Sequence, residues 1–179
     1  MILMKRIFLL CIGILMFSSI SDNIIHTKSY AHLKQNINYN LTSKDPLQID
    51  DFQIGGIMLE QKICEVKKIF GEPSRIYVEK EDERNCYEYP GLTIIYSIIT
   101  GNILAIEVRR NDLKTFRGIS VGDAKDKVIY HYGNSEYEEE GYLNYQKYVY
   151  RDYEDIFYAI TFRLKEEKVS EIMIYFAWD

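Results

Sequence analysis

Apolar side chains recur at helical spacing in two separate stretches of the chain. In each stretch they lie at i, i+3 or i+4, i+7 and i+11, which predicts an amphipathic helix. The two sets are Leu59, Ile63, Val66 and Phe70, and then Val121, Ala124, Val128 and Tyr132. A glycine follows each set, at Gly71 and Gly133, and predicts where each helix ends. Ser120 and Asp123 have the spacing of a capping box at the start of the second helix.

After each helix the apolar residues occupy every second position, which predicts β-strands. In the first half the alternating sets are Leu92, Ile94 and Tyr96, and Leu104, Ile106 and Val108. The pair Gly101-Asn102 between them is typical of a hairpin turn. In the second half the sets are Ile156, Tyr158, Ile160, Phe162 and Leu164, and Ile172, Ile174 and Phe176, with a turn at residues 165–167. An earlier strand is expected near residues 86–89 and again near residues 145–151.

The two helical stretches also align with each other at an offset of 62 residues. Residues 56–71 match residues 118–133 at six positions, all of them glycine or apolar. Such self-similarity indicates an internal repeat. We therefore predict an α+β protein of two tandem repeats, residues 51–112 and 113–179. Each repeat is expected to be one helix packed on a three-stranded antiparallel sheet.

Residues 1–21 have the pattern of an export signal. The basic pair Lys5-Arg6 precedes an apolar run over residues 7–17, and small residues stand before a predicted cleavage site after Ser21. The run is shorter than the roughly twenty residues that span a bilayer. Residues 22–50 are polar and lack periodicity, so we predict a poorly ordered linker. The protein is expected to be bacterial and either secreted or associated with the cell envelope.

Charge narrows the range of partners. Cleavage after Ser21 removes Lys5 and Arg6 and changes the formal net charge from −5 to −7. An acidic protein is repelled by nucleic-acid phosphates and by anionic lipid headgroups, so we expect neither as a partner. Contact with a membrane is expected only through an uncleaved signal. The sixteen tyrosines are typical of half-buried sheet surfaces and of contact surfaces.

No pattern in the sequence indicates a catalytic or metal-binding site. His131 lies off the apolar stripe of its helix and is predicted to be solvated, as are His26 and His32 in the linker. The acidic clusters at residues 138–140 and 152–155 lack the ligand spacing of a calcium loop. We therefore expect no enzyme activity, no metal and no cofactor.

Cys64 and Cys86 remain after signal cleavage, and two states are open for them. An exported protein can hold a disulfide, which here would join the first helix to the sheet. Cys64 lies far from the apolar stripe of that helix, which favours two free thiols instead.

The segment from Gly118 to Gly133 carries a family resemblance. It reads Gly-Ile-x-Val-Gly-Asp followed by a short helix that ends in an aromatic residue and glycine. This pattern resembles the tandem-repeat modules with the β-lactamase-inhibitor-protein-like fold, found in secreted proteins of Gram-positive bacteria and in small outer-membrane assembly lipoproteins. The first repeat departs from it, with Glu60 where Gly122 stands in the second. The resemblance covers roughly residues 54–178 and implies a non-catalytic module that binds with its uncovered sheet face.

The strand alternation predicts which residues that face presents. If the helices cover the face of Ile94, Ile106, Ile160 and Ile174, the opposite face carries the candidate binding residues Ile95, Arg109, Phe157, Arg163, Met173 and Tyr175. Aromatic, Met and Arg side chains are enriched at protein interfaces. We therefore predict a non-catalytic module that binds a protein through this face. The alternative is an envelope structural or assembly factor that lacks a defined ligand pocket.

Overall fold

The structure is a computed structural model, and it describes residues 46–79, 84–135, 137–139 and 141–178. The predicted signal peptide, most of the predicted linker, His26 and His32 lie outside the described residues.

Two helices and ten strands follow one another in the described part of the chain. A short 3-10 turn at Ile49–Asp51 precedes a small ribbon of β1 (Gln53–Ile54) and β2 (Ile57–Met58). Helix α1 (Ile63–Phe70) is followed by β3 (Arg75–Glu79), β4 (Arg84–Tyr89), β5 (Leu92–Ser97) and β6 (Ile103–Val108). Helix α2 (Lys125–Tyr132) is followed by β7 (Tyr137–Glu139), β8 (Tyr142–Arg151), β9 (Glu154–Lys165) and β10 (Lys168–Trp178).

Strands β3 to β10 form one antiparallel sheet in the order β3-β4-β5-β6-β10-β9-β8-β7. The prediction of three strands after each helix is wrong, because four strands follow each helix and all eight share one sheet. The strands without a counterpart in the prediction, β3 and β7, are the two edges. An edge strand pairs on one side only and can leave its side chains exposed, so it has no strong apolar pattern to reveal it.

The centre of the sheet is the pairing of β6 with β10. Ile174 lies opposite Ile106 and Ile172 lies opposite Val108, and all four side chains have 0% exposure. Ile94 on β5 and Ile160 on β9 extend the same face and are also fully buried. The predicted core face is therefore confirmed.

Both helices pack on this core face. Val66 of α1 and Val128 of α2 are fully buried in the same apolar cluster as Ile106 and Ile174. The ring centroids of Phe70 on α1 and Tyr89 on β4 are 5.9 Å apart, which places α1 on the core face of the sheet. At the end of each helix a tyrosine hydroxyl from the sheet donates to a glycine carbonyl, Tyr89 to Gly71 and Tyr145 to Gly133. The predicted helix ends are confirmed.

The predicted helix starts are wrong by one turn. Leu59 and Val121 precede α1 and α2, because the next residues, Glu60 (φ 64°) and Gly122 (φ 95°), adopt left-handed backbone that a helix excludes. Ser120 and Asp123 do interact, with the Ser120 amide donating to the Asp123 carboxylate over 2.8 Å. This contact closes the turn before α2, whose cap residue is Ala124.

The two cysteines lie on opposite sides of the sheet. Cys64 is exposed on α1, and Cys86 is buried on β4 at a position that faces away from the helices, and no disulfide joins them. The alternative of a helix-to-sheet disulfide is therefore wrong.

Truncation at the centre of the sheet should destabilise the protein strongly. Ile106→Ala or Ile174→Ala leaves a cavity between β6 and β10, and we expect each to lower the free energy of unfolding by about 2–5 kcal/mol. Ile99→Ala is the control, since Ile99 is 72% exposed and its loss should change stability by about 0.5 kcal/mol or less. Urea unfolding followed by circular dichroism measures both. Equal losses at the two kinds of position would contradict the described core.

The two thiols should differ in reactivity. Cys64 should react with a thiol reagent in the native protein at the rate of an exposed cysteine, whereas Cys86 should react only after denaturation because it is buried. Titration with an aromatic disulfide reagent, before and after denaturant is added to Cys64→Ser and Cys86→Ser variants, measures each thiol alone. A Cys86 that reacts as fast as Cys64 in the native state would refute the packing described for β4.

Candidate binding face

The sheet face opposite α1 and α2, here called the open face, has no helix packed on it among the described residues. Its positions alternate with those of the core, so side chains such as Ile95, Ala105 and Ala159 are buried but do not belong to the apolar cluster beneath the helices. Five of the six predicted binding residues lie at open-face positions of strands β5, β9 and β10, and the sixth, Arg109, directly follows β6.

Ile95 is the one predicted binding residue that is not accessible. It lies between Cys86 and Ala105 in the cross-strand register and is 5% exposed. A short row continues from Ala105 to Tyr175 and Ala159 on the next two strands. The expectation that Ile95 is displayed is therefore wrong, because its side chain is buried although it lies at an open-face position.

Three aromatic rings form one group on the open face, here called the aromatic patch: Tyr148, Phe157 and Tyr175. Phe157 lies opposite Tyr148 in the register of β8 and β9, with ring centroids 6.1 Å apart. The ring of Tyr175 meets Phe157 edge-on at 6.3 Å. Phe157 and Tyr175 are half-buried, whereas Tyr148 is 59% exposed. Met173 is half-buried two residues along β10 from Tyr175.

A group of four charged residues, here called the charged cluster, lies further along the same face. Arg109 contacts both Glu107 at 3.2 Å and Glu171 at 2.5 Å, and Arg163 contacts Glu171 at 3.5 Å. Both carboxylates are 5% exposed, whereas the side chains of Arg109 and Arg163 are 45% and 35% exposed. The guanidinium groups of both arginines are therefore paired with buried carboxylates while the side chains stay partly exposed to solvent.

The packing around Glu107 changes the pKa of its carboxyl group. Burial raises the pKa of its carboxyl group to about 7, an effect that the adjacent Glu171 reinforces and that Arg109 opposes. One carboxylate oxygen, Oε1, is buried without a hydrogen-bond partner in the described residues. Near neutral pH the side chain therefore exchanges between its neutral and charged forms.

Beside the charged cluster the surface forms a depression of about 310 Å³. It is lined by Arg109, Arg163, Leu164, Lys165, Ser170 and Glu171. The guanidinium of Arg163 also lies 5.8 Å from the ring centroid of Tyr142. Three cationic groups surround one carboxylate here, so the depression is locally basic on a protein whose net charge is −5. Such a site favours an anionic group of a ligand.

A second depression, of about 280 Å³, lies beside Glu60 and is largely apolar. The Glu60 carboxylate accepts a hydrogen bond from the Tyr158 hydroxyl and contacts Arg151 at 2.9 Å. Burial and the neighbouring Glu60 raise the pKa of Tyr158 to about 12, so this hydroxyl stays protonated. The contact ties the left-handed turn before α1 to β8 and β9, which gives Glu60 a structural role.

The remaining titratable side chains of the described ranges form no further site. No group of three or more His, Cys, Asp and Glu side chains is placed to hold a metal ion within them. His131 is exposed on α2, with its ring 5.2 Å from that of Tyr130. No helix in the described ranges is both long enough and apolar enough to cross a membrane.

The structure brings the predicted binding residues together in two pairs. Phe157 and Tyr175 meet in the aromatic patch, and Arg109 and Arg163 meet through Glu171. The sequence reasoning missed Glu171 and Tyr148. Strand alternation contains the information for Glu171, which shares its parity with Met173 and Tyr175 on β10. Tyr148 was missed because β8 was predicted without assigning its faces.

Comparison with known proteins places the fold among bacterial neighbours. No protein-family model matches this chain, and no curated protein matches it. It is similar to an extracellular protein containing an SCP domain from Bacillus anthracis str. Ames, with 8% identity and a TM-score of 0.50 over 78% of this chain. The match covers 55% of that protein, so this chain spans about half of its length. At this identity the likeness shows the α+β fold alone.

A second solved structure is a DUF4309 family protein, YjgB, from Bacillus subtilis subsp. subtilis str. 168. It has 14% identity and a TM-score of 0.37, with 68% of this chain and 82% of that protein covered. The resemblance to the modules with the β-lactamase-inhibitor-protein-like fold stays a prediction.

Replacing Glu107 should remove a pH-dependent part of the stability. The raised pKa means that the folded protein binds this proton more tightly than the unfolded chain, whose carboxyl has its ordinary pKa near 4.5. The stabilisation that the folded state gains by binding this proton is complete below about pH 4.5 and is lost as the pH rises through about 7. The free energy of unfolding of the wild type, minus that of Glu107→Gln, should fall by about 3 kcal/mol over this range.

Urea unfolding at a series of pH values measures this difference. Ile99→Ala supplies the control: it removes an exposed apolar side chain and no titratable group, so the difference between the wild type and this variant should not change with pH. A constant difference between wild type and Glu107→Gln over the whole range would show that Glu107 is not protonated near neutral pH.

Proposed function

We propose that this protein is an exported, non-catalytic binding module that engages a protein partner through the open face. The observation that carries the proposal is the combination of the aromatic patch and the two half-exposed arginines on a sheet face that neither α1 nor α2 covers. Tyr, Phe, Met and Arg are the side chains that interfaces concentrate at their centres.

The aromatic patch supplies the apolar part of such an interface. Phe157 is fixed between Tyr148 and Tyr175, so these rings lose little conformational entropy when a partner covers them. The tyrosine hydroxyls retain the capacity to hydrogen-bond while the rings are buried.

The charged cluster supplies the specificity. Arg109 and Arg163 are oriented by the buried Glu171, and together with Lys165 they line the basic depression. We infer that this depression receives a carboxylate side chain of the partner, because a guanidinium fork matches a carboxylate in shape and charge. The partner would then carry an acidic residue next to an apolar surface.

Export and internal duplication belong to the same proposal. The signal-like residues 1–21 and an extracellular structural neighbour support export. The element order, a helix then four strands, occurs twice, and the sheet order β3-β4-β5-β6 is mirrored by β7-β8-β9-β10 about the central pair. This arrangement supports a tandem repeat, with a four-stranded unit in place of the predicted three-stranded one.

A photo-crosslinking amino acid at Tyr175 tests the proposal in the producing organism. We expect it to capture a defined protein, identified by mass spectrometry, that the same group at Tyr130 does not capture. Tyr130 is the matched control because it is 78% exposed on α2, on the helix side of the sheet. The captured protein should bind the purified wild type in a saturable way.

Single substitutions then separate binding from folding. Phe157→Ala or Arg163→Ala should weaken the affinity for the captured protein by about tenfold or more, while the free energy of unfolding falls by about 1 kcal/mol. Arg163→Ala should also reduce the dependence of the affinity on salt. If envelope association persists with both substitutions in place, the alternative of an assembly factor is favoured and the proposal fails.

A further inference from the structure

One edge of the sheet is built differently from the other. Strand β3 pairs only with β4 among the described residues, which leaves the backbone amides and carbonyls of its outer side available. Ile76 and Val78 on this strand are 48% and 54% exposed. An exposed edge with branched apolar side chains is a template for pairing with another strand.

The opposite edge lacks these properties. Strand β7 has three residues, Tyr137–Glu139, and the sequence around it is acidic. Short length and clustered charge are the means by which natural sheets prevent edge association. The five-residue β3 is longer, has an apolar centre and carries charge only at its two ends, Arg75 and Glu79.

The sequence of β3 is complementary to itself. It reads Arg-Ile-Tyr-Val-Glu, with a cation at one end, an acid at the other and Tyr77 in the middle. When two copies pair in an antiparallel manner about Tyr77, each Arg75 takes the register position opposite Glu79 of the other copy. Ile76 then lies opposite Val78, so apolar residues meet apolar residues and charges meet opposite charges.

The existing contacts of the strand agree with this register. Arg75 already extends over the ring of Tyr77, with its guanidinium carbon 3.9 Å from the ring centroid. Both residues occupy open-face positions, in line with Glu88 and Cys86 on β4. The guanidinium of Arg75 therefore lies on the open face. In the antiparallel register, position 79 of a second copy belongs to the same face.

We propose that β3 pairs with β3 of a second copy of this chain, which forms a twofold-symmetric dimer with one continuous sheet of sixteen strands. The contact is isologous, since the same five residues serve both protomers. Its twofold axis is perpendicular to the sheet at Tyr77, so the open faces of both protomers point to the same side. The association is independent of the ligand of the open face.

Sedimentation equilibrium of the protein expressed from its full sequence tests the dimer. Because a five-residue edge buries little area compared with a standard interface, we expect a reversible dimer whose population rises with concentration up to about 1 mM. Amide hydrogen exchange at Ile76 and Val78 should slow down over the same concentration range.

Charge reversal tests the register. Arg75→Glu places two pairs of acids opposite each other and Glu79→Arg two pairs of cations, so each should weaken the dimer by about tenfold or more. Combining the two reversals in one chain should restore the dimer. Mixing the two single variants should restore a heterodimer, a result that a change in monomer folding cannot produce. Ile99→Lys, on an exposed turn away from β3, should leave dimerisation unchanged.

Three outcomes would overturn the proposal. The first is a wild-type chain that remains monomeric up to about 1 mM. The second is a dimer that both charge reversals leave intact, or that only Phe157→Ala abolishes, since the contact would then lie on the open face. The third is a monomer whose Ile76 and Val78 amides are already protected from exchange, since another segment of the chain would then cover β3.

Discussion

The pairing of β6 with β10 is the constraint on which the rest of this protein depends. It joins the last strand of each half, and Ile106, Val108, Ile172 and Ile174 are fully buried along it. A sheet of three or four strands with one covered face is near the minimum size for independent stability. Once the two halves share a sheet, both helices pack on one apolar layer. Side chains of β6 and β10, which are distant in sequence, then become neighbours in space.

The same constraint creates the open face. Because side chains alternate along a strand, burying Ile106 and Ile174 beneath the helices places Glu107, Met173 and Tyr175 on the other side. Glu107 and Glu171 are neighbours because β6 pairs with β10, and the ion pair between Arg109 and Glu171 crosses from the first half to the second. Neither half alone contains the charged cluster. The candidate site is therefore a product of the joined sheet.

The sequence predicted the inner strands and the two helices well because each must bury one side. The alternation at Ile94, Ile106, Ile160 and Ile174 identified the core face, and Gly71 and Gly133 marked the ends of the helices. The edge strand β3 was missed because its Ile76 and Val78 are about half exposed, and β7 because Tyr137–Glu139 is too short to show an alternating pattern. The helix starts were misplaced because Leu59 and Val121 are apolar for tertiary reasons, packing before left-handed turns that the spacing does not reveal.

By itself the sequence determined which side chains point into the core. The spacing of the apolar residues is a local property, so it can be read without knowing which strands are neighbours in the fold. It also identified the open-face residues Arg109, Phe157, Arg163, Met173 and Tyr175, because they follow from the same alternation. Only the tertiary structure decided that all eight strands form one sheet, that Ile95 is enclosed and that Cys64 and Cys86 lie on opposite sides. Those outcomes depend on the order and register of strands, which long-range contacts select and no local spacing encodes.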